Sequence, residues 1–134
     1  MCLIISSAIH EKWFGKYIPI KIKKDFTVYK IIKADWNEKA ITRVWSPIQY
    51  FIYDIDTIYC TKFSIDGKYN NQVHNGFHSF IHNLIAESHS LYYSKIFDGN
   101  GLATCIIPKG SKVFLSNYGE IVSNKIKIVK VEKL

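Results

Sequence analysis

The sequence predicts an α+β fold: mainly antiparallel β-sheet with one principal helix over about residues 79–94. Three observations predict it. β-branched and aromatic residues recur in short runs separated by Gly, Pro and Asp, which is the pattern of strands joined by turns. Helical spacing of apolar residues begins only after Gly76. A chain of 134 residues with 48% hydrophobic residues can build one core without disulfide staples and has no room for two, so a single domain over 1–134 is expected.

Taken in order, Met1-Cys2-Leu3-Ile4-Ile5 has no basic leader and no small-residue cleavage site after it, and reads as the first strand. Ile18, Ile20 and Ile22 alternate with Pro19, Lys21 and Lys23, and Phe26 to Ile32 continues in strong strand formers. Residues 34–47 are too short and polar for a helix and end at the breaker Ser46-Pro47, so a loop with a turn is expected. Tyr50 to Tyr53 and Thr57 to Phe63 read as two aromatic strands, the second stopped at Asp66-Gly67. The helix follows, with Phe80/Ile81, Leu84/Ile85, Ser88 and Leu91/Tyr92 on one face and Ser79 placed as its cap. Asp98 to Gly101 is a turn, Ala103 to Ile107 a strand stopped by Pro108-Lys109-Gly110, Lys112 to Leu115 a strand, and Ser116 to Gly119 a turn. The last strand alternates from Lys125 to Ile128. Its apolar phase slips at Val129, which predicts a bulge or a strand covered on both faces.

Composition excludes some functions. No run approaches the ~18 apolar residues that span a bilayer, so no membrane partner is expected. Cys2, Cys60 and Cys105 are odd in number, far apart and set among strand formers, as reduced core thiols of a cytoplasmic protein are; no CxxC pair calls for zinc. The formal net charge is +7, yet Arg43 is the only arginine among the 18 basic residues. A lysine-rich balance suits a small anion better than a long nucleic acid, whose readout favours arginine.

Chemistry-bearing motifs are few. His74, His78 and His82 fall four apart, but Gly76 places the first two on extended chain and only His82 on the helix, so no metal is expected. His78-Ser79 stands at a strand-to-helix junction, where free backbone N–H groups favour anions. No G-x-S-x-G elbow is present, and Gly99-Asn100-Gly101 precedes a strand and reads as a hairpin turn, not a dinucleotide loop. No cofactor is expected.

Met1-Cys2-Leu3, Thr27 to Lys30, Ser46-Pro47, Gly76-Phe77-His78-Ser79-Phe80, Cys105 to Ser111 and Val122 to Ile126 together resemble a group of small proteins found in bacteriophages, prophages and their hosts. The resemblance covers most of the chain and implies a host-cell cytoplasmic location. A second similarity is to the ADP-ribosyltransferase-like fold in a degenerate form. By order, Lys30, then His78 with Ser79, then Glu120 stand at that family's three site positions, although Lys30 replaces its Arg or His and Glu120 falls in an expected turn.

From these readings, the expected function is that of a phage-type accessory protein. It counters host defence by binding and sequestering an anionic nucleotide-derived signal, without catalysis. The expected ligand contacts are Lys30, Arg43, Trp45, His78, Ser79 and Lys109, the basic groups for phosphate and the indole for the ring. A homo-oligomer suits such a protein, because clefts shared across symmetric interfaces enclose small anions. Two alternatives stand beside it. One is an NAD-processing, ADP-ribosyltransferase-like enzyme using His78 and Glu120. The other is a protein–protein inhibitor of a host defence protein that docks through an exposed aromatic surface from Trp36 to Phe51.

Overall fold

The structure is a computed structural model, and it describes residues 3–47, 51–93 and 100–134. Among them are fifteen strands and one helix. The strands are β1 (Leu3–Ile4), β2 (Lys12–Trp13), β3 (Lys16–Tyr17), β4 (Ile20–Lys21), β5 (Phe26–Ile32), β6 (Arg43–Trp45), β7 (Ile52–Asp54), β8 (Ile58–Cys60), β9 (Ser64–Asp66), β10 (Gln72–Asn75), β11 (Phe77–Phe80), β12 (Gly101–Ile107), β13 (Lys112–Leu115), β14 (Glu120–Ser123) and β15 (Lys125–Lys133); α1 is Asn83–Tyr93. Eight strands form one antiparallel sheet in the order β4-β13-β14-β11-β5-β12-β15-β8. A second sheet, β1-β10-β9, and two hairpins, β2-β3 and β6-β7, complete the strands.

This corrects the α+β expectation. The chain is mostly antiparallel β in several sheets, and the helix is a single eleven-residue element. The helix was expected from about 79. It starts at Asn83 because Phe77-His78-Ser79-Phe80 pairs with β14 along its whole length and at Phe80 with β5, and backbone groups spent on a ladder cannot begin a helix. Ser79 is therefore not the cap: the Leu84 N–H donates to His82 Nδ1 at 3.1 Å and to Asn83 Oδ1 at 3.0 Å. Residue 94 of the expected helix, Met1 and Cys2 of the first strand, Tyr50 of the aromatic strand and Asp98-Gly99 of the expected turn lie outside the described residues.

Two other expectations change. The segment 34–47, expected as loop, contains β6, which pairs with β7. Glu120, expected in a turn, opens β14, while the turn before it is held by Ser116 Oγ, which accepts from the Tyr118 and Glu120 N–H groups. The phase slip at Val129 is a bulge: Thr104 faces Lys130 and Cys105 faces Ile128, leaving Val129 unpaired between them.

Strand alternation sorts the large sheet into two buried faces. One face carries Val28, Lys30, Ile32, Phe77, Ser79, Ala103, Cys105, Ile121, Ile126 and Ile128. Ala34, Ile41, the β6–β7 strands and Ile55 cover it, with Val44 and Tyr53 pointing inward to complete the main core. The opposite face has two covers. The β1-β10-β9 sheet packs Leu3, Ile5 and Val73 against Phe114 and Val122, and α1 packs Ala86 and Ile85 against Tyr29, Ile31, Phe80 and Leu102.

The chain before β2 is tied to the large sheet by His10. Its Nδ1–H donates to the Ser6 carbonyl at 2.9 Å, and its Nε2 accepts the Leu115 N–H at 3.3 Å, so the partners select the tautomer protonated on Nδ1. The ring is buried and lies 5.6 Å from that of Phe114. His10→Ala strands a buried N–H and opens space beside Phe114, so it is expected to lower unfolding free energy by about 2 kcal/mol, measured by urea titration.

Candidate functional site

Lys30 is the central residue of the site. It lies in the middle of β5, opposite Ala103 of β12, and its side chain enters the main core. Its Nζ donates to the main-chain carbonyl of His78 and stands 5.9 Å from the ring centre of Tyr53. Among the described residues no carboxylate comes within ion-pair distance of it. Burial lowers its pKa from the ordinary lysine value, and the acidic groups of Cys105 and Glu120 oppose that shift only in part.

Ser79 shares this face. The pairing of Phe80 with Tyr29 brings Ser79, one residue back, level with Lys30. Its hydroxyl is buried and makes no hydrogen bond among the described residues. Cys105, on the same face, has its thiol pushed up by burial to about 12, so it is held as the thiol and is no nucleophile. Burial also raises the Tyr53 phenol above its ordinary value.

Aromatic rings roof this polar group. Tyr53 lies 4.7 Å from Phe51, 5.4 Å from Tyr59 and 6.1 Å from Phe77, ring centre to ring centre. Phe51 is 42% exposed, so the roof reaches solvent at that ring. The hairpin that carries Phe51 and Tyr53 is a two-stranded sheet of its own, joined to the end of β5 by the Lys33–Trp45 bridge.

His78 points the other way. Successive residues of a strand face opposite sides, so its ring lies on the face covered by α1 and the small sheet, not beside Ser79. There its Nδ1 is 3.1 Å from Glu120 Oε1 and its Nε2 is 3.2 Å from the His74 carbonyl. Both ring nitrogens are engaged with acceptors, which leaves neither free to exchange a proton with a substrate. The sheet thus brings together Lys30, Ser79, His78 and Glu120 through adjacent β5, β11 and β14, but on two faces joined only by the His78 main chain.

The remaining expected contacts lie elsewhere. Arg43 and Trp45 alternate with inward-facing Val44, so both occupy the outer side of the hairpin, and Arg43 Nε is paired with Asp54 at 3.0 Å in the open. Lys109 is exposed in the turn after β12, whose N–H donates to Asp25 at 2.8 Å. Since Ile107 faces Phe26 and Trp45 bridges Lys33, Lys109 and Trp45 are at opposite ends of β5, about 23 Å apart at ~3.3 Å per residue. One small ligand cannot touch all six.

Sequence reasoning did not single out Tyr53, Phe51, Tyr59 or Phe77 as the roof. Alternation in Phe51-Ile52-Tyr53 was the available signal, since it sends both rings to one face. Cys60, expected in the core with Cys105, is exposed at the end of β8. Of the aromatic surface expected from Trp36 to Phe51, Trp36 is half-buried over Gly101 with its Nε1–H donating to the Asn100 carbonyl at 3.2 Å, Trp45 is half-buried, Phe51 is exposed and Tyr50 lies outside the described residues.

Among the described residues no three His, Cys, Asp or Glu side chains are arranged to hold a metal ion, and no helix is long and apolar enough to cross a membrane. Comparison of the chain with protein-family models, with curated proteins and with solved structures finds no match.

Proposed function

We propose that the protein binds a small anionic, nucleotide-like ligand without transforming it, taking the anion at Lys30 beneath the β6–β7 hairpin. The observation that carries this reading is the Lys30 amine, buried with a main-chain carbonyl for its hydrogen bond and no carboxylate in ion-pair contact among the described residues. A buried ammonium without a counter-charge is expensive, and an anion brought to it supplies what the fold withholds. The Ser79 hydroxyl offers an unused donor on the same face, and the ring of Phe51 at the solvent edge offers a surface for a base.

Three features support binding over catalysis. Ser79 has no histidine beside it because His78 is on the other face, the Cys105 thiol is held protonated, and both nitrogens of His78 are already engaged. The resemblance to phage and prophage proteins supports an accessory role in which the ligand is a host defence signal held out of circulation.

Equilibrium dialysis against cyclic dinucleotides and ADP-ribose derivatives, followed by mass spectrometry of the released compound, tests this. Retention of at least one of them, recovered chemically unchanged, is expected for the natural protein and for Lys109→Ala, and loss is expected for Lys30→Met. No retention of any probe, retention that survives Lys30→Met, or recovery of a cleaved product would overturn the reading.

A further inference from the structure

We infer that the β2–β3 hairpin is a docking finger for an anionic lipid surface. This inference is independent of the Lys30 site. The hairpin turns on Phe14 and Gly15, whose φ values of +49° and +78° are those of a two-residue turn that ordinarily takes Asn-Gly. Phenylalanine in that position is a backbone outlier, and nothing within the fold compensates it: Phe14 is 93% exposed and its neighbour Trp13 is 66% exposed. The two rings meet edge-on, with centres 5.7 Å apart, as a single apolar wedge at the tip.

Charge is layered behind this wedge. Lys16 pairs with Trp13, and Lys12, on the next rung, pairs with Tyr17 and lies over its ring. Their backbone positions are about 3–7 Å behind the tip at ~3.4 Å per residue. Lys21, Lys23 and Lys24 are also exposed in the chain that follows, against Glu11 and Asp25 as the acidic residues between Leu3 and Ala34. Aromatic rings outermost and amines a few ångströms behind reproduce the order of an interfacial apolar zone beneath anionic headgroups.

Other occupants fit less well. A convex tip with edge-on rings offers no flat platform or groove for stacked bases. A second copy of a chain with net charge +7 brings no excess of negative charge to the lysines behind the tip. The expectation of no membrane partner concerned spanning segments, and a finger of this kind rests on the surface without crossing.

Vesicle flotation of the full chain tests the inference, using phosphatidylcholine alone and phosphatidylcholine mixed with an equal part of phosphatidylglycerol. Flotation is expected with the mixed vesicles only, weakening as salt is raised, with a blue shift of tryptophan emission from Trp13. Because Trp13 and Phe14 are exposed, Trp13→Ala/Phe14→Ala should fold normally by circular dichroism and bind at least tenfold more weakly. Phe14→Gly, which relieves the backbone outlier, should unfold at higher urea while also binding more weakly. Absence of flotation, flotation unchanged in the double variant, equal flotation with neutral vesicles, or binding to an oligothymidylate in place of vesicles would each overturn it.

Discussion

Lys30→Met is expected to make the protein more stable at neutral pH and unable to retain the anionic ligand proposed for it. Burial lowers the amine's folded-state pKa below its ordinary value of 10.5, so between those two values the unfolded chain binds more protons than the folded one. Stability attributable to Lys30 is therefore fully present above 10.5 and lost as pH falls through the folded value. Below 10.5 the natural protein carries a penalty that grows until pH reaches the folded value, and methionine of similar length removes it. The His78 carbonyl loses a donor, which offsets part of the gain, leaving about 1–3 kcal/mol. Urea titrations of both proteins at a series of pH values should show the gap narrowing toward pH 10.5. Cys105 and Tyr53 act in the reverse sense, since their raised values remove stability as pH rises above their unfolded values of 9.0 and 10.0, but both proteins share them. A variant less stable than the natural protein at pH 7 would show that the amine is structural.

Gly76→Ala is expected to lower unfolding free energy by about 4 kcal/mol. Gly76 joins β10 to β11 at φ +139°, where side chains are rarely tolerated, and an added Cβ would stand 2.3 Å from Val122 Cγ1 and 3.2 Å from Phe63 Cδ1. Val122 is fully buried in β14 and has no room to yield. Backbone strain and overpacking each contribute roughly 1–3 kcal/mol. Gly15→Ala separates the two contributions, because Gly15 also has positive φ but meets nothing within 4 Å. Urea titration should therefore show a loss of only about 1 kcal/mol there. In Gly76→Ala the added methyl pushes β11 off β14, so the His78–Glu120 pair and the acceptor of Lys30 move together.

The parts of the fold legible in the sequence are those with enough residues to show a period. Phe26 to Ile32, Ala103 to Ile107 and Lys125 onward read as strands because alternation persists over several residues, and the slip at Val129 is visible only against that regularity. Strands such as β2, β3, β9 and β10 span two to four residues, too few for a period, and β10 is further set by its distant partner β1. Ser79 and Phe80 were misread because Phe80 and Ile81 match the spacing of Leu84 and Ile85 in the helix that follows, and tertiary pairing decides the boundary. Lys30, His78, Ser79 and Glu120 were grouped only through the expected similarity to the ADP-ribosyltransferase-like fold, and nothing in their residue pattern alone linked them. That Lys30 and Ser79 face one cover while His78 and Glu120 face the other depends on strand parity, which a helix beginning at 79 would have hidden.

The eight-stranded sheet ends in its two shortest members, β4 with two residues and β8 with three, while the seven- and nine-residue strands β5, β12 and β15 are interior. An open sheet invites other chains to add at its margins, and the number of backbone groups on offer sets how strongly. Here the β4 margin offers two residues beside Pro19, while at the other margin β8, which follows Asp56 with φ +65°, covers β15 from Lys125 to Lys127. β12 is flanked along its length by β5 and β15, so it can template aggregation only after one of those two strands is lost.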